Sequence, residues 1–87
     1  MKTELHRDFG KQWKRLTDKQ KLQAKERLRI FRAMPNDPLL YNHRLTGEWR
    51  GYRSISTSGD LRAIYEPVGD EVALLVAIGT HSKLYKE

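Results

Sequence analysis

Arg53, Arg62, His81 and Tyr85, joined by Asp60 and His43, are the residue types that could act together on a phosphodiester. RNA can be cut by attack of its own 2′-hydroxyl, a reaction that needs no cofactor. It needs one group to take the 2′ proton, another to protonate the departing 5′ oxygen, and cations to hold the pentacoordinate phosphorane between them. Arginine suits the cationic role because its planar fork meets phosphate oxygens bidentately and stays charged. An imidazole can give or take a proton near neutrality. A tyrosine can do so where neighbouring cations lower its proton affinity. The same side chains also read as surface arginines, a capping histidine and an anchoring aromatic, and residue types alone leave both readings open.

Other chemistries have less support. The sequence holds no G-x-x-x-x-G-K-[ST] and no G-x-G-x-x-G, so nucleotide-cofactor cradles are not expected. His6, His43 and His81 are not paired at metal-binding spacing, and zero cysteines remove thiolate ligands, thiol nucleophiles and disulfides. Neither a metal nor a cofactor is expected. Ser56 or Ser58 could be strung with Asp60 and His81 into a triad. The G-x-S-x-G elbow is absent, however, and Ser58-Gly59-Asp60 is turn composition. His43 sits in a loop, Tyr41 to Gly47, where a histidine also serves as a hydrogen-bonding pin. Trp49 and Tyr52 are expected to pack between sheet and helices.

The elements that must position these groups follow from periodicity. The first five residues suggest a short edge strand. From Asp8, the residues Phe9, Trp13 and Leu16 recur at helical spacing. Thr17 reads as an N-cap with Gln20 as its capping-box partner, opening a second helix that runs to about Met34 and ends before Pro35. Its stripe is Leu22, Ala24, Leu28, Ile30 and Phe31. The period then changes. Trp49–Ser56, Leu61–Glu66 and Glu71–Gly79 read as strands, separated by Thr57–Asp60 and a turn at Gly69–Asp70. The expected fold is α+β, two N-terminal helices on a small antiparallel sheet, as one domain spanning residues 1–87. If the first hairpin has a four-residue loop and the second a two-residue loop, Leu61, Ala63, Tyr65, Val72, Leu74, Val76 and Ile78 share the helix-covered face. Arg53, Arg62 and His81 then fall on the other side.

Size and charge bound the partners. An 87-residue domain removes only about 60–65 % of its unfolded-chain surface from water, so the core is small. Net charge is +6, with residues 1–35 at 11 basic minus 4 acidic and the remainder at 6 basic minus 7 acidic. The positive field therefore comes from the helical third and favours a polyanion or an acidic protein. No stretch approaches the roughly 20 apolar residues of a membrane span. The first five residues lack a secretory signal's apolar run, so a cytoplasmic, membrane-free protein is expected.

The string His43-Arg-Leu-Thr-Gly47-Glu-Trp49-Arg-Gly51-Tyr52-Arg53, then Asp60, Tyr65 and Gly79-Thr80-His81-Ser82-x-Leu84-Tyr85, resembles the YafQ branch of the RelE toxin superfamily. The resemblance implies the toxin of a type II toxin–antitoxin pair, a ribosome-dependent mRNA endonuclease that works without a metal. Its partners would be a cognate antitoxin, the ribosome and mRNA. His43, Asp60 and His81 match functional positions of that pattern, and Tyr85 stands where the branch has a C-terminal aromatic. Arg53 and Arg62 match a lysine and an arginine of RelE that hold the reacting phosphate; Arg53, Lys83 and Ser56 are taken as substrate contacts. Ser56 departs from the pattern, which has a histidine there. A serine hydroxyl is no general base near neutral pH, so His81 and Tyr85 are expected to carry the proton transfers. Two rival readings are a ParE-like gyrase-binding toxin, against which the G-T-H-S-x-L-Y tail argues, and a plain basic nucleic-acid-binding module.

Overall fold

The helices begin where the sequence supplies caps. In the computed structural model, which describes residues 1–85, β1 (Lys2–Leu5) leads into α1 (Arg7–Lys14), and the His6 ring accepts from the Asp8 amide at the helix start. Thr17 caps α2 (Asp18–Ala33): its hydroxyl accepts from the Gln20 amide at 3.1 Å while the Gln20 side chain accepts from the Thr17 amide at 2.9 Å. Pro35 has no amide to extend the helix. Short 3-10 turns at Pro38–Leu40 and Gly47–Trp49 flank a two-residue strand β2 (His43–Arg44). Three long strands follow, β3 (Arg53–Ser58), β4 (Leu61–Val68) and β5 (Val72–Thr80), and a five-residue helix α3 (His81–Tyr85). No described helix is long and apolar enough to cross a membrane.

The sheet order is β1-β5-β4-β3-β2, with β2 to β5 antiparallel and β1 added parallel to β5. The sheet is therefore mixed rather than purely antiparallel. The helices cover one face, burying Phe9, Ala24, Leu28 and Phe31 against Ile55, Ala63, Tyr65 and Leu75. Leu22, placed in the α2 stripe from sequence, is 71 % exposed. It lies two residues from Ala24, about 200° around the helix, and so on the far side.

Two bulges reset the strand faces. The first hairpin turn is two residues, Gly59 and Asp60, with Thr57 as an extra residue in β3, so Arg53 pairs with Tyr65 and Ser56 with Arg62. Arg53 consequently shares the helix-covered face with Tyr65, opposite to the face expected for it. In the second hairpin Val68 pairs with Val72 across a three-residue turn, which puts Val72 and Leu74 on the open side. Val76 is then the extra residue, and it returns Ile78 to the core face. Val76 itself packs on the open side, in a second apolar cluster of Ile64, Ala77 and Leu84.

Thr17→Ala should lower the unfolding free energy by ~1 kcal/mol through loss of the cap. Leu22→Gln should stay within about 0.5 kcal/mol, as expected for a surface position. Urea denaturation measures both; equal costs would contradict the placement of the α2 stripe.

Candidate active site

A helix of five residues does not hold itself together in water. Three contacts hold α3. Leu84 inserts into the cluster with Ile64 and Ala77, and the Trp49 indole N–H donates to the Leu84 carbonyl at 3.3 Å. The His81 amide donates to the Asp60 carbonyl at 3.2 Å, tying the start of α3 to the first hairpin turn. Trp49 meets Tyr52 edge-on at 5.4 Å between ring centroids. Both aromatics thus pack on the open face of the sheet, not between sheet and helices as sequence suggested. Fixed in this way, His81 and Tyr85 stand four residues apart on one helix face, with ring centroids 4.5 Å apart and planes at 60°.

β2 brings the second histidine. His43 pairs with Ser54 in the sheet, and its Nδ1 lies 2.9 Å from the Tyr41 carbonyl oxygen. A carbonyl can only accept, so Nδ1 carries the proton and the neutral ring presents a free lone pair at Nε2. Arg62, on β4, donates from Nη1 to the Gly59 carbonyl at 2.8 Å and to the Leu61 carbonyl at 3.1 Å. Those bonds park the guanidinium over the hairpin turn and leave Nε and Nη2 for an anion. His43, Arg62, His81 and Tyr85 all line one open cavity of roughly 380 Å³, with Tyr41 at its wall and Ser54 in its lining.

Other expected site residues lie elsewhere. Arg53 donates from Nε to the Asn42 side-chain oxygen at 2.8 Å on the helix side of the sheet. It lines a separate cavity with Arg44 and Arg50, whose wall shares Leu45 and Thr46 with the first. The reason is the Thr57 bulge, which shifts the register by one residue. Lys83 points away from the His81–Tyr85 face, into a groove against α1 formed by Gln12, Arg15 and Leu16. Ser56 is opposite Arg62 but outside the cavity lining. Asp60 is exposed and contributes its carbonyl to His81; its carboxylate lines no part of the cavity.

Two residues of the cavity were not singled out from sequence. Ser54 is fully buried, and its hydroxyl is the one buried side-chain polar atom without a hydrogen-bond partner among the described residues. It sits two residues before Ser56 on the same face, so the alternation was visible, but the register was not. Tyr41 lies outside β2, in left-handed backbone, with its ring against the His43 imidazole, and no strand pattern marks it. No group of three or more histidines or carboxylates that could hold a metal ion occurs among the described residues. Nor is the charge on α2 neutralised: among the described residues only Arg29 of that helix forms an ion pair, with Glu26, and its hydrogen bond holds that carboxyl below the ordinary range.

Residues 1–86 match a family described as the bacterial toxin of type II toxin-antitoxin system, YafQ. The chain belongs to the YafQ family. Solved structures similar to it include YafQ from E. coli strain BL21(DE3), 28 % identical over 95 % of this chain and 96 % of that one, with a TM-score of 0.71. YafQ in the E. coli DinJ-YafQ complex is 29 % identical over 95 % of this chain and 96 % of that one, at a TM-score of 0.68. A YoeB/ParE toxin from Agrobacterium tumefaciens gives a TM-score of 0.75 over 93 % of this chain and 99 % of that one, but at 19 % identity, which is a likeness of fold alone. No protein of curated function matches the chain in sequence. As a YafQ-family protein the chain is a type II toxin, on the α+β fold expected for it.

Within this YafQ-family site the Trp49 bond is the contact most easily isolated. Trp49→Phe keeps an aromatic ring and removes the donor, a loss of ~1 kcal/mol. Amide exchange over residues 81–85 should rise about five-fold, while the amides of Ile55 and Leu75 change little. Unchanged exchange in α3 would contradict the anchoring role.

Proposed function

We propose that this toxin cleaves mRNA on the ribosome by attack of the RNA 2′-hydroxyl, with His43 and His81 moving the protons and Arg62 holding the phosphate. The observation that carries the reading is the convergence of those three side chains, with Tyr85, on one open cavity. His43, its Nδ1 proton engaged by Tyr41, takes the 2′ proton at Nε2. The 2′ oxygen attacks the adjacent phosphorus, and the guanidinium of Arg62 offsets the charge gathered on the non-bridging oxygens. His81, as imidazolium, gives its proton to the 5′ oxygen as the P–O bond breaks. The products are a 2′,3′-cyclic phosphate and a free 5′-hydroxyl, and no water or metal enters the bond-breaking step.

The other residues take supporting parts. The Tyr85 ring packs on the His81 imidazole and holds it in the cavity. Arg44 and Arg50 contact phosphates flanking the scissile one, across the shared wall of Leu45 and Thr46, while Arg53 braces Asn42 from the helix side of the sheet. The unneutralised cations of α2 dock on ribosomal RNA, supplying affinity without sequence choice. A cognate antitoxin, an acidic or amphipathic segment, opposes that field; the solved DinJ-YafQ complex is the corresponding pair for a relative. Translating ribosomes place the action in the cytoplasm.

Adding the purified toxin to a translating extract and mapping mRNA 5′ ends tests the reading. His81→Ala and His43→Ala should each reduce cutting by about 10²- to 10⁴-fold, the range for a positioned acid or base. Arg62→Ala should cost about 10²- to 10³-fold, and the new ends should be 5′-hydroxyls. Intact message together with inhibited supercoiling by DNA gyrase would replace this reading with a gyrase-binding one.

A further inference from the structure

We infer that Tyr41 forms a stacking subsite for a nucleobase of the bound RNA, beside the scissile linkage; the inference rests on the ribonuclease reading of the cavity. Tyr41 is the one non-glycine residue at positive φ among the described residues, at φ 46° and ψ 50°. That left-handed conformation brings a Cβ against the following carbonyl, a cost glycine does not bear. Such a conformation persists only where its surroundings over-determine it. Here they do. Leu40 on one side is fully buried in the core. Asn42 on the other side donates to the Pro35 carbonyl and the Tyr65 hydroxyl, both at 2.9 Å, and accepts from Arg53 at 2.8 Å.

The side chain gains nothing from the core in return. Tyr41 is 70 % exposed, and its ring leans over the His43 imidazole with centroids 4.8 Å apart and planes at 45°. The strained turn therefore projects an aromatic surface into solvent at the wall of the catalytic cavity. An aromatic face next to a phosphodiester-cleaving histidine is a platform for a base, since stacking tolerates every base and positions the sugar-phosphate beyond it. The backbone carbonyl of Tyr41 separately fixes the His43 tautomer, and that contact survives any side-chain change. Ring and carbonyl can thus be tested apart.

The test compares the parent with Tyr41→Phe, Tyr41→Ala and Tyr41→Gly in a translating extract, alongside urea denaturation. Tyr41→Phe should cut within about two-fold of the parent. Tyr41→Ala and Tyr41→Gly should need about five- to hundred-fold more toxin for half-maximal cutting, the range of one base-aromatic stack, at a saturating rate within about three-fold of the parent's. Tyr41→Gly should also unfold at higher urea than the parent, being more stable yet less effective. Alanine and glycine variants that cut like the parent would overturn the subsite and leave the ribonuclease standing. A loss confined to the saturating rate would assign the ring to holding His43 instead, and phenylalanine as damaging as alanine would assign the effect to the hydroxyl. A parent that leaves message intact would overturn both the subsite and the ribonuclease.

Discussion

Leu84 is the side chain on which the proposed catalytic arrangement hangs. It belongs to a helix too short to be stable alone, and it closes a cluster on the face of the sheet that the two long helices leave uncovered. β5 is apolar at every position from Val72 to Ile78, so both of its faces have to be covered. The long helices cover Ala73, Leu75 and Ile78; Leu84, Trp49 and Tyr52 cover Ala77 and Val76. That second, smaller burial is what orders α3, and ordering α3 is what places His81 and Tyr85. The face on which the proposed catalytic groups stand thus follows from a packing requirement. A domain of this size has little core to spare for it.

The opposite wall of the cavity is set by a different device. Asn42 and Arg53 form a polar bridge on the helix side of the sheet, reaching the Tyr65 hydroxyl and the Pro35 carbonyl. Asn42 is held inward next to β2, so His43 after it faces the open side, and the left-handed backbone of Tyr41 before it carries an exposed ring. Arg53 therefore serves the site from behind, through Asn42, while its neighbours Arg44 and Arg50 extend the cationic surface past Leu45 and Thr46. One arginine type does two jobs here. Arg62 meets the cavity directly, and Arg53 holds the loop that delivers the histidine.

Much of this was legible from residue pattern. The capping box at Thr17 and Gln20, the helical spacing of Phe9 and Trp13, an edge strand within the first five residues and the strand positions after Arg53 all follow from local preferences that tertiary structure did not override. Of the eight site residues that the sequence and its family resemblance pointed to, His43, Arg62, His81 and Tyr85 line one cavity and Arg53, Ser56, Asp60 and Lys83 do not. What did not come through was register. A bulge adds one residue to one strand and leaves no composition signal, and Thr57 and Val76 are ordinary strand residues. The insertion at Thr57 moved Arg53 to the other face, a second turn one residue longer than expected moved Val72 and Leu74, and the insertion at Val76 returned Ile78 to the core. Likewise the left-handed turn at Tyr41 falls on a residue type that seldom adopts it, so it was visible only once the contacts of Leu40 and Asn42 were known.

The claim at the centre is that the RNA supplies its own nucleophile and the protein supplies only proton carriers and charge. An mRNA carrying a single 2′-deoxy substitution on the 5′ side of a mapped cleavage position, translated with the toxin present, tests this directly. The account predicts that this linkage survives while unmodified linkages in the same message are cut. Cleavage at the deoxy linkage at an undiminished rate would mean that water is the nucleophile, and the roles given to His43, His81 and Arg62 would be wrong.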